Sequence, residues 1–249
     1  MSVLEKEQSE IPAVQLYPLG DAAVVVQFGV EVSEQTHKKV KAFCAYLQQH
    51  PFPGLLEFVP AYTTVTVYYN PWVISEKGHL NPYTKVTGFL QRMLPFVADA
   101  EENAGPRIVE IPVLYGGEYG PDLEFVARIN ELSPEEVVTL HTQQEYLVYM
   151  VGFAPGFPYL GGMNKRIAAP RRDSPRQHIA AGSVGIAGEQ TGIYPIQTPG
   201  GWQLIGRTPV SLFNPRNISP SLLQAGDSVR FVAITEEEYK ERKEQQHES

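Results

Sequence analysis

Apolar and polar positions follow two different rhythms along this chain. In the first third the rhythm is regular. Ala22 to Phe28 is an apolar run entered through Leu19-Gly20-Asp21, which predicts a strand after a turn. Between Ser33 and Gln49, Val40, Phe43, Cys44 and Leu47 fall at i, i+3, i+4 and i+7, one face of a helix with Ser33 as its N-cap. After the bend Pro51 to Gly54, Leu55 to Val59 reads as extended. Thr63 to Tyr69 is rich in the β-branched and aromatic residues that suit a pleated surface. A second helix is expected from about Pro82 to Leu94. Strand, helix, two strands and helix make a small open-faced α/β sandwich over residues 1–98. The polar segment 99–106 is expected to be a linker.

The second domain, 107–235, opens with a strand from Arg107 to Tyr115 that Gly116-Gly117 interrupts. Pro121 to Asn130 reads as a short helix through Leu123, Val126 and Ala127. Ser133-Pro134-Glu135-Glu136 supplies an N-cap, a proline at the first helical position and a capping-box glutamate, so another helix starts there and ends near His141. A strand from Tyr146 to Phe153 follows. From Gly152 to Phe213 the rhythm breaks up: glycines and prolines interrupt short apolar runs such as Ser183 to Ala187 and Trp202 to Arg207. Short strands with frequent turns predict a small barrel. Gly226-Asp227 turns the chain into a closing strand, Ser228 to Ile234, and the charged tail 236–249 reads as a solvated or fraying helix.

The irregular stretch also carries the candidate chemistry. Arg171, Arg172, Arg176 and Arg207 are guanidinium forks able to bind a carboxylate or phosphate through paired hydrogen bonds. They either contact a small anion or pair with Asp173 or Glu189 as ordinary ion pairs. Arg172, Arg176 and Arg207, with Ser183 and Thr191 as hydroxyl donors, form the candidate anion and substrate set. Phe153, Phe157, Tyr159 and Tyr194 are the candidate lining of a groove for a ligand or partner chain, with Phe157 foremost, whereas Trp202 is read as barrel core. Ala181-Gly182-Ser183-Val184-Gly185 approaches a nucleophile elbow, but Gly185, Gly188, Gly192 and Pro195 deny the helix an elbow needs, so Ser183 is read as part of a closely packed strand.

Composition narrows the classes. With 43% hydrophobic residues the chain can bury a sizeable core, while a formal charge of -8 argues against a nucleic-acid or anionic-membrane partner. No apolar run is long enough to cross a bilayer and the N-terminus lacks a signal peptide's regions, so a cytoplasmic location is expected. Cys44, the only cysteine, excludes an internal disulfide and reads as a small core residue. The six histidines show no metal-ligand spacing, and no metal site is expected; His141 is read as meeting the last carbonyls of its helix or doing chemistry. Neither a G-x-x-x-x-G-K-[ST] nor a G-x-G-x-x-G run is present, so no cofactor is expected to be bound by this chain alone.

The runs GFAPGFPYLGG, PRRDSPR, AGSVGIAGEQTGIYP and TPGGWQLIGRTP resemble the allophanate hydrolase subunit 1 family, which also contains the B subunit of 5-oxoprolinase and the sporulation kinase inhibitor KipI. The resemblance extends to Ile111-Pro112-Val113, to Tyr115 to Leu123 and, more weakly, to Leu19-Gly20-Asp21. Leu114 departs from it, standing where the family is expected to have cysteine. The resemblance implies an N-terminal α/β domain followed by a cyclophilin-like β-barrel, an α+β architecture. It also implies one component of an ATP- and Mg-dependent 5-oxoprolinase that opens 5-oxoproline to glutamate. Its partners would be an allophanate hydrolase subunit 2-like protein, the C subunit of 5-oxoprolinase, and the hydrolytic A subunit. A second implication is an inhibitor of autophosphorylation of a sporulation histidine kinase. Prolyl isomerase activity follows only from the fold, and fold does not imply function.

Overall fold

The computed structural model describes residues 14–98 and 107–247, and the segment expected to be a linker lies outside them. The chain divides into two compact units, residues 1–103 and 104–249.

In the first unit the strands β1 (Gln15–Pro18), β2 (Ala23–Gln27), β3 (Leu55–Pro60) and β4 (Thr64–Tyr69) form one antiparallel sheet in the order β1-β2-β4-β3. Along β4, Val65, Val67 and Tyr69 are buried while the intervening Thr64, Thr66 and Tyr68 are not, the alternation of a sheet covered on one face. The cover is helical. Helix α1 (Glu34–Gln49) contributes Val40, Phe43 and Leu47, and helix α3 (Pro82–Ala98) contributes Val86 and Leu90, to one core with that sheet face. Ser33 caps α1 through a 3.1 Å bond from Thr36 N–H, and Asn81 receives Thr84 N–H at 3.0 Å at the start of α3. Helix α3 continues past Leu94 through Pro95, which removes only one hydrogen bond in the last turn. Two elements were not expected: the edge strand β1, too short for a periodic signal, and α2 (Pro71–Ile74), a single turn capped by Asn70.

The second unit is a closed seven-stranded barrel. Its strands are β5 (Ile108–Tyr115), β6 (Glu145–Val151), β7 (Pro158–Gly161), β9 (Ser183–Ala187), β10 (Gln190–Ile193), β12 (Gln203–Arg207) and β13 (Ser228–Ala233), closing in the order β10-β7-β6-β13-β5-β12-β9. Closure leaves no unpaired edge. Only β5 and β13 run parallel, in register from Ser228 beside Ile108 to Ala233 beside Val113. All five residues of β9 are buried, which is why its run is continuously apolar and small rather than alternating. Helices α4 (Leu123–Ile129) and α5 (Pro134–Thr142) share a core with the strands, and the capping box of Ser133 and Glu136 is formed as expected. A two-stranded ribbon, β8 (Arg176–Ile179) with β11 (Thr198–Gly200), projects from the loops. The charged tail is helix α6 (Glu236–His247), and it is not wholly solvated: Tyr239 is only 2% exposed, its ring 4.8 Å from that of Tyr119. Among the described residues no helix is long and apolar enough to cross a membrane.

Candidate functional site

The loop from Gly152 to Phe157 closes on itself through Gly152 N–H to Phe157 O at 3.0 Å and Phe157 N–H to Ala154 O at 3.0 Å. So tight a loop needs unusual backbone. Gly156 takes a φ of +82° at a place where a Cβ would stand 2.8 Å from Phe213 Cβ, and Phe153, not a glycine, takes +68°. The rings point two ways as a result. Phe157 is 3% exposed and Phe153 is 71% exposed.

Phe157 is the hub of an aromatic cluster. Its ring centroid lies 5.5 Å from Phe153, 5.2 Å from Tyr159, 5.8 Å from Tyr194 and 5.8 Å from Trp202, every pair close to perpendicular. These five residues line one cleft of about 350 Å³ together with Arg171 and Arg172. The four aromatics expected to line a groove are therefore together, with Phe157 as the floor and Phe153 at the mouth. Trp202, read as barrel core, is instead a half-buried wall of the cleft, because it precedes β12 and packs outside the barrel. Burial raises the Tyr194 phenol pKa, and Arg171 and Arg176 pull it the other way.

The candidate arginines divide between two places, Arg172 and Arg176 at one carboxylate and Arg207 apart from them. Arg172 Nη1 reaches Asp122 Oδ1 at 3.3 Å, and Arg176 Nη2 reaches the same oxygen at 2.7 Å. Neither pairs with Asp173 or Glu189; the latter is taken by Lys165 at 3.1 Å. Asp122 is the residue the sequence reading missed. It is 6% exposed, and its second oxygen accepts Leu204 N–H at 2.6 Å. It sits at the N-cap of α4 without capping it, so its position in sequence suggests a helix start while its carboxylate is spent across the barrel. Gly120, two residues earlier, permits this approach, since a Cβ there would lie 2.0 Å from Ile205 O. Arg172 Nε is buried without a hydrogen-bond partner, so Arg172 is only partly satisfied. Arg207 lies elsewhere, lining a separate crevice with Tyr239 and Lys243.

The two hydroxyls expected to meet an anion lie in the barrel wall, outside both clefts. Ser183 is 2% exposed, in the β9 strand beside Arg207 of β12. Thr191 is fully buried and donates to Gly185 O at 3.1 Å. With that hydroxyl hydrogen spent, the 2.9 Å contact to His141 Nε2 makes the ring nitrogen the donor. His141 Nδ1 then accepts the Tyr115 hydroxyl at 2.8 Å. The network assigns one neutral tautomer, and burial lowers the His141 pKa to about 3. His141 thus neither meets its helix's last carbonyls through its ring nor faces a cleft. Burial also raises the Cys44 thiol to about 12. Cys44 packs against the first unit's core.

Residues 14–223 match the family described as carboxyltransferase domain, subdomain C and D. The chain is 55% identical over 234 residues to the 5-oxoprolinase B subunit of Bacillus subtilis (strain 168), covering 93% of this chain and 97% of that protein. It is 42% identical over 217 residues to the 5-oxoprolinase B subunit of Escherichia coli O157:H7, covering 87% and 94%. Among solved structures it resembles TTHA0988 at a TM-score of 0.73 and 38% identity, covering 86% of this chain but only 40% of that one. The Kluyveromyces lactis urea carboxylase shares the fold at a TM-score of 0.71 and 20% identity, covering 91% of this chain and 22% of that chain. Matched along most of its length and to relatives of nearly its own size, this chain belongs to the carboxyltransferase domain subdomain C and D family, that of allophanate hydrolase subunit 1 and the 5-oxoprolinase B subunit.

Proposed function

We propose that this chain is the B-type component of an ATP-dependent 5-oxoprolinase, opening 5-oxoproline to glutamate with a C-type partner resembling allophanate hydrolase subunit 2 and a hydrolytic A-type partner. The observation that carries the reading is the cleft, where five aromatic rings stand beside Arg171 and Arg172 and Arg172 Nε lacks a partner. 5-Oxoproline is a five-membered lactam ring bearing one carboxylate. Aromatic walls suit the ring, and a guanidinium suits the carboxylate. Arg176 is not given that role, because Asp122 already holds it. A lactam is a poor electrophile, so activation of its carbonyl oxygen by ATP before attack by water is chemically sensible. ATP, with Mg, enters as a cosubstrate of the complex. The relatives named as B subunits of 5-oxoprolinase support the reading.

The test is ATP-dependent release of glutamate from 5-oxoproline by the three components, each omitted in turn. Turnover lost when this chain alone is missing, together with an Arg172→Lys variant whose KM rises about 10-fold or more, supports the proposal. Turnover that persists without the chain overturns it. A second reading, a regulator that binds a sensor histidine kinase, is favoured by one feature only: Phe153, exposed at the cleft mouth as an aromatic anchor would be. Loss of kinase inhibition in Phe153→Ala with lactam hydrolysis intact would decide for it.

A further inference from the structure

The crevice that holds Arg207 has a volume of about 410 Å³ and apolar walls that include Ala181, Pro195, Pro209 and Val210. Two cations line it, Arg207 from β12 and Lys243 from α6. Both are mounted on one aromatic pair. Arg207 Cζ lies 5.9 Å from the Tyr119 ring centroid, Lys243 Nζ lies 5.9 Å from that of Tyr239, and the two rings are 4.8 Å apart. Tyr239 and Lys243 are four residues apart on α6, so they share a face. This arrangement holds two positive charges at one recess in a chain of net charge -8.

Among the described residues no carboxylate neutralises either cation of this recess, although paired arginines lie in the same unit. Arg107, Arg172, Arg176 and Arg230 of the same unit all reach carboxylates, and Lys240, three residues before Lys243, is taken by Glu236 at 2.7 Å. Helix α6 carries Glu236, Glu237, Glu238, Glu241 and Glu244, yet among the described residues no carboxylate lies within 4.0 Å of Arg207 or Lys243. Arg207 Nε is moreover buried without a hydrogen-bond partner, a cost that an acceptor in the crevice would remove.

We propose that this crevice is a binding site for a phosphate-class dianion, with Arg207 and Lys243 as its cationic ligands. A phosphate group carries about −1.5 to −2 at neutral pH and so matches two unpaired cations, whereas a single carboxylate leaves one of them uncompensated. The planar Arg207 fork supplies direction and Lys243 supplies charge. The site is separate from the aromatic cleft and stands whether or not that cleft holds a lactam.

The test titrates the full-length chain with inorganic phosphate against sodium chloride of equal ionic strength, followed by calorimetry. The expected result is saturable, phosphate-specific binding that weakens about 10-fold or more in Arg207→Gln and severalfold in Lys243→Gln, with Lys165→Gln, at an exposed lysine outside both clefts, unchanged. Lys243 is exposed on α6, so its variant keeps the test intact if Arg207→Gln does not fold. A parallel titration with Mg-ATP separates the two sources of the anion. Competition with inorganic phosphate assigns the site to a nucleotide's phosphoryl groups, and its absence to the free ion. The proposal is overturned if phosphate gives no saturable binding, if both variants bind as the wild type does, or if acetate binds as tightly as phosphate.

Discussion

The interior of the barrel and its outer arginine-bearing surface treat polar groups in opposite ways. Inside, Tyr115, His141, Thr191 and Gly185 form one chain of hydrogen bonds in which the network's ring nitrogens and the Thr191 hydroxyl are all engaged. Outside, Asp122 satisfies Arg176, half satisfies Arg172, and leaves Arg207 to a crevice with no carboxylate among the described residues. A buried polar group whose bonds are all internal contributes to the fold, and one left with an open bond is where a ligand adds most. An arginine's role here follows from its nearest carboxylate rather than from the motif that contains it.

The interior should show its commitment to the fold in acid. The His141 pKa falls from 6.5 in the unfolded chain to about 3 in the native barrel because burial disfavours the charged ring. Between those values the unfolded state binds the extra proton. Stability therefore falls as pH drops below 6.5, by up to about 1.4 kcal/mol per pH unit for this one group. The barrel's unfolding free energy, measured by denaturant titration from about pH 7 to about pH 4, should show this slope. His141→Gln should be less stable at neutral pH and less steep, while unchanged steepness in the variant would break the assignment of a neutral interior ring.

Asp122 lies where the two regions meet, so its loss should be nearly as large. Asp122→Ala leaves Arg172, Arg176 and the Leu204 N–H without their acceptor, at a cost of about 3 kcal/mol. The denaturation midpoint should fall with little change in slope. Arg207→Gln, on the other side of the comparison, should change the unfolding free energy by less than about 1 kcal/mol, because it breaks no ion pair among the described residues. If Arg207→Gln proves as costly as Asp122→Ala, the crevice is part of the scaffold and the contrast fails.

The same contrast explains what could be read from the sequence. The first unit's helices and strands follow from periodicity and caps, since Val40, Phe43 and Leu47 bury one face that the pattern already marked. In the barrel, Ser133 to Glu136 announced α5, and the Gly and Pro punctuation announced short strands. Phe153, Phe157 and Tyr159 were legible as neighbours because a rigid Gly-Pro loop has few ways to place them, whereas Tyr194 reaches them from the end of β10. The arginine set was not, because Asp122 precedes Arg176 by 54 positions and no local pattern links them. Ser183 and Thr191 were misplaced for a related reason: a hydroxyl in a small-residue strand looks alike whether it faces a cleft or the barrel wall. Trp202 went wrong in the other direction, since size suggested core where its place between β11 and β12 puts it outside.

The smallest expected effect on stability is at Phe153, and it is the most discriminating. A non-glycine residue at a φ of +68° costs of order 1 kcal/mol, and this one exposes 71% of its surface, so the fold gains little from the ring. Phe153→Gly relieves the strained backbone but gives the unfolded chain more freedom to lose, and it removes a ring 5.5 Å from Phe157. These changes nearly cancel, and the variant should lie within about 0.5 kcal/mol of the parent by thermal or chemical unfolding. Binding at the cleft should nonetheless weaken severalfold, whether the occupant is a lactam or an aromatic-seeking partner, because the mouth loses its most exposed ring. A variant clearly less stable but equally able to bind would mean that Phe153 belongs with His141 and Asp122 as part of the scaffold. Unchanged stability with weakened binding would put it, with Arg172 and Arg207, among the groups the fold holds for something else.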